Sequence, residues 1–253
     1  MGMEMQEIEI VSTIDGSKEP SLFYKASGTE KRPLLVGLHT WSCDRFNQIA
    51  NMLPYAKKYN FHLLLPEFRG PNLTSNPRAT QACGSPLARQ DIKDAIDHIV
   101  QSGCVDEENI FLLGLSGGGY TSLLMSAFYP KLFKAVGAFA PISDLKRWAE
   151  ENKSYAPHIL ACCNHDETQM KARSPITYLD GLAASNLKIF HGKNDKVVSV
   201  EQSVDLYYTL RNKYPQNRVF LDIFDGGHVI DMEVAFHWLL SQYGAKMAVE
   251  ITG

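Results

Sequence analysis

The chain has 253 residues, of which 45% are hydrophobic and 21% charged, and its formal net charge is -3. That length and balance suit a single α/β domain with a full core. They argue against nucleic acid as a main partner, because phosphate binding needs clustered Lys and Arg, and against a membrane, because no apolar run approaches the roughly 20 residues of a span.

The first residues, Met1 to Ile8, are acidic and lack the apolar stretch of a signal peptide. A cytoplasmic protein is expected, unless the chain starts after a removed signal. Residues 7–14 alternate weakly, with Ile8, Ile10, Ser12 and Ile14 on one face. With Asp15-Gly16 as a turn and Leu22 to Lys25 as a partner, they predict an antiparallel hairpin at the sheet edge. Leu34 to His39 is a nearly continuous apolar strand, suited to a parallel sheet covered on both faces. A helix is expected over Phe46 to Tyr59, ended or kinked by Pro54. The strand Phe61 to Leu65 follows, closed by Pro66.

Residues 67–86 form a long irregular loop carrying Pro71, Pro77 and Gly84, of a length that is often functional. The helix Leu87 to Gln101 carries Ile92, Ala95, Ile96 and Ile99 at helical spacing, with Asp91, Asp94 and Asp97 expected in solvent. Next comes the apolar strand Ile110 to Leu113, which runs into Gly114-Leu-Ser-Gly-Gly118 and a helix from Tyr120 to Tyr129. This is the G-x-S-x-G pattern in its required setting, strand then sharp turn then helix. Ser116 then lies near a helix N-terminus, where free N–H groups can face a developing negative charge.

The strand Ala135 to Ala140 ends at Pro141. Residues 144–178 break the β–α rhythm and predict a small helical cap, with helices at Leu145 to Glu151 and Thr168 to Ala172 and turns at Pro157 and Asn164. A strand at Leu187 to His191, a helix at Val200 to Asn212, a last strand at Arg218 to Phe224 and a closing helix at Val229 to Leu240 complete the chain. The expected architecture is one domain over 1–253, with a mostly parallel central sheet, an antiparallel N-terminal edge hairpin and a cap inserted at 144–178.

A serine hydroxyl needs a base within reach, and the base needs an orienting acid. Parallel sheets place such groups on the loops after strands, along one edge. Ser116, Asp195 in His191-Gly-Lys-Asn-Asp195, and His228 in Asp225-Gly-Gly-His228 all qualify, in the order Ser, Asp, His expected of an α/β-hydrolase. Asp144, after the preceding strand, is the rival acid. His191 and His39 end strands and are expected to bond backbone groups; His237 falls mid-helix. An oxyanion site needs two N–H donors. Gly117 supplies one, and the loop after His39, where Thr40 and Trp41 sit, is expected to supply the other. Trp41, Phe68 and Trp148 are candidate substrate-binding aromatics. The five cysteines, odd in number and without C-x-x-C, predict reduced thiols rather than a disulfide framework. His158, Cys162, Cys163 and His165 lack zinc spacing, so no metal is expected.

The segments Ser174-Pro-Ile-Thr-Tyr178 and Leu187-Lys-Ile-Phe-His-Gly-Lys-Asn-Asp195, together with Phe68-Arg-Gly70 and Leu132-Phe-Lys-Ala135, resemble the catalytic domain of the prolyl oligopeptidase family. The likeness runs from about residue 30 to the end. It implies an α/β-hydrolase fold and assigns the triad to Ser116, Asp195 and His228. Two features depart from the family. Its peptidases carry a large N-terminal propeller, for which the stretch before the domain has no room. Where the family commonly has glycine after His39, this chain has Thr40-Trp41-Ser42-Cys43. That loop, with Pro66-Glu-Phe68, is similar to small feruloyl esterases and polyester depolymerases. The expected activity is therefore hydrolysis of a small carboxylic ester through an acyl-enzyme, without metal or organic cofactor. A peptidase acting on short peptides is the alternative. An idle binding protein is disfavoured by the presence of all three triad residues. A nucleotide-dependent oxidoreductase is disfavoured by the lack of G-x-G-x-x-G and Tyr-x-x-x-Lys. Oligomeric state is not readable.

Overall fold

The structure is a computed structural model, and it describes residues 5–243. Met1 to Glu4, the start of the acidic N-terminal stretch, lie outside the described residues. Eight strands form one sheet in the order β1-β2-β4-β3-β5-β6-β7-β8. They are β1 (Gln6–Val11), β2 (Lys18–Tyr24), β3 (Arg32–Leu38), β4 (His62–Pro66), β5 (Val105–Leu115), β6 (Ala135–Phe139), β7 (Asn186–Gly192) and β8 (Arg218–Phe224). β1 and β2 form the expected edge hairpin, and β2 runs antiparallel to β4 as well; the remaining pairs are parallel.

The helices are α1 (Ile49–Lys58), α2 (Pro86–Gln101), α3 (Gly117–Phe128), α4 (Leu145–Glu151), α5 (Ala156–Cys162), α6 (Glu167–Ala172), α7 (Leu179–Ala183), α8 (Glu201–Lys213) and α9 (Met232–Tyr243). Side-chain alternation along the strands sorts them into two layers. Leu34, Val36 and Leu112 face a core built with Ile92 and Ile96 of α2, Leu123 of α3 and Leu206 of α8. Leu35, Phe111 and Leu113 face the opposite core, with Met52 and Ala56 of α1 and Phe236 and Leu239 of α9. Each such fully buried Leu, Ile or Phe contributes about 1.5–3 kcal/mol. Covering on both faces is why these strands read as unbroken apolar runs.

Three local expectations change. α1 continues through Pro54. An interior proline removes one backbone bond and costs about 3 kcal/mol, but Met52, Leu53 and Ala56 around it are buried, so core packing outweighs the local penalty. Asp91 and Asp94 on α2 are buried, not solvated. Asp91 pairs with the buried Arg69 guanidinium, and Asp94 accepts from the Thr13 N–H and hydroxyl. Only Asp97, paired with Lys93, lies toward solvent. Pro157, expected in a turn, sits in the first turn of α5, where its missing N–H is an orphan in any case.

The strand order reverses direction beside β3. The chain leaves β3 through α1 to β4 on one side and returns through α2 to β5 on the other. The crevice at the carboxyl ends of β3 and β5 is therefore a topological switch point, where open α/β sheets bind ligands. A third apolar cluster lies over these strand ends, made from Trp41 after β3, Ile142 after β6, Val198 after β7 and Trp148, Ile159, Cys162 and Met170 of α4 to α6.

Candidate active site

Ser116 occupies the turn between β5 and α3 with φ 58 and ψ -118. Positive φ is costly for a residue with a side chain. It is held by bonds on both sides: the Ser116 N–H donates to Phe139 O and the Ser116 carbonyl accepts from Tyr120 N–H. The turn lifts the side chain out of the strand at the switch point. Gly117 follows because there is no room for more: a Cβ there would sit 2.4 Å from Trp41 N. That contact brings the Gly117 and Trp41 backbones together. Neither of their N–H groups has an acceptor among the described residues.

Asp195 and His228 meet across the ends of β7 and β8. His228 Nδ1 lies 2.7 Å from Asp195 Oδ2. A carboxylate can only accept, so Nδ1–H donates; in a neutral ring that leaves the lone pair on Nε2, the tautomer a general base requires. The two loops approach closely at Gly192, where a Cβ would meet Gly227 O at 2.3 Å. The Asp195 side chain is fully buried. Burial alone would raise its carboxyl, but hydrogen bonds from His191, His228 and the backbone N–H groups of Val197 and Val198 outweigh it and hold the group well below the usual carboxylate range. Among the described residues the Ser116 hydroxyl makes no hydrogen bond to His228. Catalytic bonds of this kind commonly tighten only when substrate is bound.

The rival acid is occupied elsewhere. Asp144 caps α4 by accepting from Arg147 N–H. Asp222 pairs with Lys188, and Asp225 with Lys193. His191 has more to do than the expected backbone bond. Its Nε2 lies 3.0 Å from Val198 O and 3.4 Å from Asp195 Oδ2, and its Nδ1 is 2.6 Å from Ser203 Oγ. A carbonyl accepts only, so Nε2 carries the proton and Asp195 has a histidine on either side. The four-residue spacing of His191 and Asp195 across a tight turn was the available signal.

The three aromatics expected to bind substrate are instead core residues. Trp41, Phe68 and Trp148 are 1%, 3% and 0% exposed, leaving no ring surface for a ligand. Trp41 packs edge-on against Trp148 at 4.8 Å, Trp148 stacks on Tyr155 and donates its indole N–H to Val197 O, and Phe68 stacks on His39. The reason is position: Trp41 and Phe68 follow strand ends and Trp148 lies within the cap helix α4, and the third apolar cluster closes over all but Phe68, which belongs to the sheet core. Trp41 reaches the site only through its backbone.

The prolyl oligopeptidase family matches residues 88–243, more than half of the chain. Inactive dipeptidyl peptidase 10 of Rattus norvegicus is 29% identical over 123 residues, which cover 49% of this chain and 15% of that protein. Acylamino-acid-releasing enzyme 1 of Oryza sativa subsp. japonica is 22% identical over 227 residues, covering 82% of this chain and 29% of that protein. Among solved structures, a puromycin-hydrolyzing peptidase of Mycobacterium tuberculosis superposes with a TM-score of 0.73 at 20% identity, over 93% of this chain and 38% of that one. The chain thus spans well under half the length of the relatives it matches. Its sheet, its glycine-bounded serine turn and the matched stretch agree: the fold is that of an α/β-hydrolase, and the chain belongs to the prolyl oligopeptidase family of serine hydrolases.

Proposed function

We propose that this chain is a serine peptidase of the prolyl oligopeptidase type, cleaving amide bonds of short peptides. The observation that carries the chemistry is the 2.7 Å bond between His228 Nδ1 and the buried Asp195, formed by the loops after β7 and β8 at the same edge of the parallel sheet as the strained Ser116 turn. Sequence reasoning put ester hydrolysis first. The names of the relatives, an acylamino-acid-releasing enzyme and a puromycin-hydrolyzing peptidase, move amide hydrolysis ahead of it.

Ser116 Oγ attacks the acyl carbon as its proton passes to His228 Nε2. The carbonyl oxygen becomes an oxyanion, which the free N–H groups of Gly117 and Trp41 receive. Asp195 holds the imidazolium that forms. The proton then moves from Nε2 to the leaving amine, the C–N bond breaks and an acyl-Ser116 remains. A water, deprotonated by the same nitrogen, releases the acid and restores the serine. The same steps serve an ester, with an alcohol leaving.

Two measurements test the reading. A fluorophosphonate should label Ser116 in folded protein and should not label Ser116→Ala. An N-acyl-aminoacyl anilide should be turned over beside an ester of the same acyl group. Turnover of the ester alone would give the ester hydrolase instead. A folded protein that the fluorophosphonate does not label and that cleaves neither substrate would be an idle hydrolase fold, the state that the name of the rat relative describes.

A further inference from the structure

Three of the five cysteines meet inside the third apolar cluster. Cys83 comes from the long loop before α2, and Cys162 and Cys163 come from the end of α5 in the cap. All three are buried. The Cys83 side chain is in hydrogen-bond contact with both cap thiols, and its sulfur lies 3.9 Å from the Tyr120 hydroxyl. The trio is not a metal centre: among the described residues no three His, Cys, Asp or Glu side chains are set to hold an ion. The acyl-transfer steps proposed above make no use of it.

Arg173, which ends α6, is buried beside these thiols. Its guanidinium donates to Ala82 O, Thr80 O and Gln169 Oε1, and among the described residues it pairs with no carboxylate. Its Nε has no hydrogen-bond partner. A buried cation without a counter-charge is costly. The acid within its reach is the Cys163 thiol. Contact with Cys83, and after it the Arg173 charge, hold that thiol below its ordinary value despite burial. Cys83 is shifted the other way, by burial first and by its thiol neighbours second. One thiol is thus readied as a thiolate, and its neighbour keeps its proton.

We infer that Cys163 and Cys83 are an oxidisable dithiol, which hydrogen peroxide converts to a disulfide that ties the cap to the loop over residues 67–86. The Cys163 sulfur attacks one peroxide oxygen. The O–O bond breaks, and the hydroxide that leaves takes up the proton released by the thiol. The Cys83 sulfur then attacks the sulfenic acid on Cys163. The S–S bond forms, the S–O bond breaks, and the Cys83 proton leaves with the hydroxide as water. Two thiols give up two electrons, and one peroxide becomes two waters. The oxidant must be small because the thiols are buried. Cys163 caps α5, and residues 164–168 just beyond it are exposed, so a water-sized oxidant has a short way in.

The disulfide would complete a crossing that is already partly built. Thr74 N–H on the loop donates to His158 Nδ1 of α5 at 3.1 Å, and Arg173 holds the carbonyls of Thr80 and Ala82. Asn72 N–H on the same loop donates to Trp41 O. A bond between Cys83 and Cys163 makes loop and cap one piece above the carboxyl ends of β3 and β5. It also closes a long stretch of chain, which constrains the unfolded state.

The test exposes dilute, folded wild-type protein to hydrogen peroxide and maps its thiols. Cys83 and Cys163 should be lost together, and dithiothreitol should restore both. Trypsin should release residues 79–89 joined to residues 154–171 of the same chain. Cys163→Ser should abolish the joined peptide, and Cys162→Ser should leave it. In Cys83→Ser, Cys163 should stop at the sulfenic acid and be trapped by dimedone. Arg173→Gln should slow the reaction by up to about 10-fold, because the thiolate and not the thiol attacks. Oxidised wild type should denature at a higher temperature than reduced wild type, a difference that Cys163→Ser should lack. The wild-type map needs no variant to fold. Wild type that keeps Cys83 and Cys163 reduced, or a joined peptide that survives Cys163→Ser or vanishes with Cys162→Ser, would overturn the inference. An undiminished rate in folded Arg173→Gln would overturn Cys163 as the attacking thiol. None of these measurements uses turnover, so they stand or fall separately from the serine-hydrolase reading.

Discussion

The two flanks of Ser116 are built on different principles. On the β7–β8 flank, the proposed machinery is side chains: Asp195 receives two histidines and two backbone N–H groups, and the residues name themselves by chemical type. On the β3–α3 flank, the donors proposed for the oxyanion are the backbone N–H groups of Gly117 and Trp41, brought together where a Cβ on Gly117 would meet Trp41 N. A side-chain device fails when one functional group is changed. A backbone device fails only when its support is disturbed, so its losses are smaller and spread over many positions. Substitutions should therefore divide by flank.

The largest effect should come from the nucleophile: Ser116→Ala should lower kcat by about 10⁴-fold or more while thermal stability stays near that of the wild type. Asp195→Asn should follow, with a loss of up to about 10⁴-fold, because an amide in place of the carboxylate no longer selects the Nδ1–H tautomer of His228. Its kcat, compared with that of Ser116→Ala, separates loss of the tautomer from loss of the nucleophile. In the cap, which packs on Trp41 and on the Val197 carbonyl, Trp148→Ala should cost about 3–5 kcal/mol of stability, seen as a lower denaturation midpoint, with kcat of the surviving folded fraction reduced far less than in Asp195→Asn. A kcat loss as large as that of Asp195→Asn would break the proposed division.

The smallest effect is in acid. The Asp195 carboxyl is held well below its unfolded range by its hydrogen bonds, despite its burial. A depressed carboxyl contributes stability that is complete above the unfolded carboxylate range, about pH 4, and is lost as pH falls toward the folded value. The stability gap between wild type and Asp195→Asn should accordingly narrow from pH 6 to pH 3 in paired denaturant titrations. A gap that widened toward acid would contradict the arrangement.

How far the sequence could be read follows the same division. The serine turn and the His228–Asp195 contact were legible because such side chains sit at fixed offsets from apolar strands, and strand order places those offsets on one rim. The aromatics misled, since Trp41, Phe68 and Trp148 have the same composition whether they wall a pocket or fill a core, and only packing tells which. Asp91 and Asp94 misled for a related reason. Their helical spacing marks the side of α2 away from Ile92 and Ile96, but Arg69 and Thr13, distant in the chain, cover that side. His39 and His191 were visible as strand-end residues, yet their partners at Glu67 and Ser203 come from other loops.

Local pattern alone determined the layering of this protein: unbroken apolar strands demand helices on both faces, and glycines around a serine demand a sharp turn. Only the tertiary structure decided which of two flanking carboxylates meets His228 and which aromatics are buried. Periodicity is a property of neighbours along the chain, whereas hydrogen bonds between loops depend on distances that exist only once the sheet has brought its strand ends together.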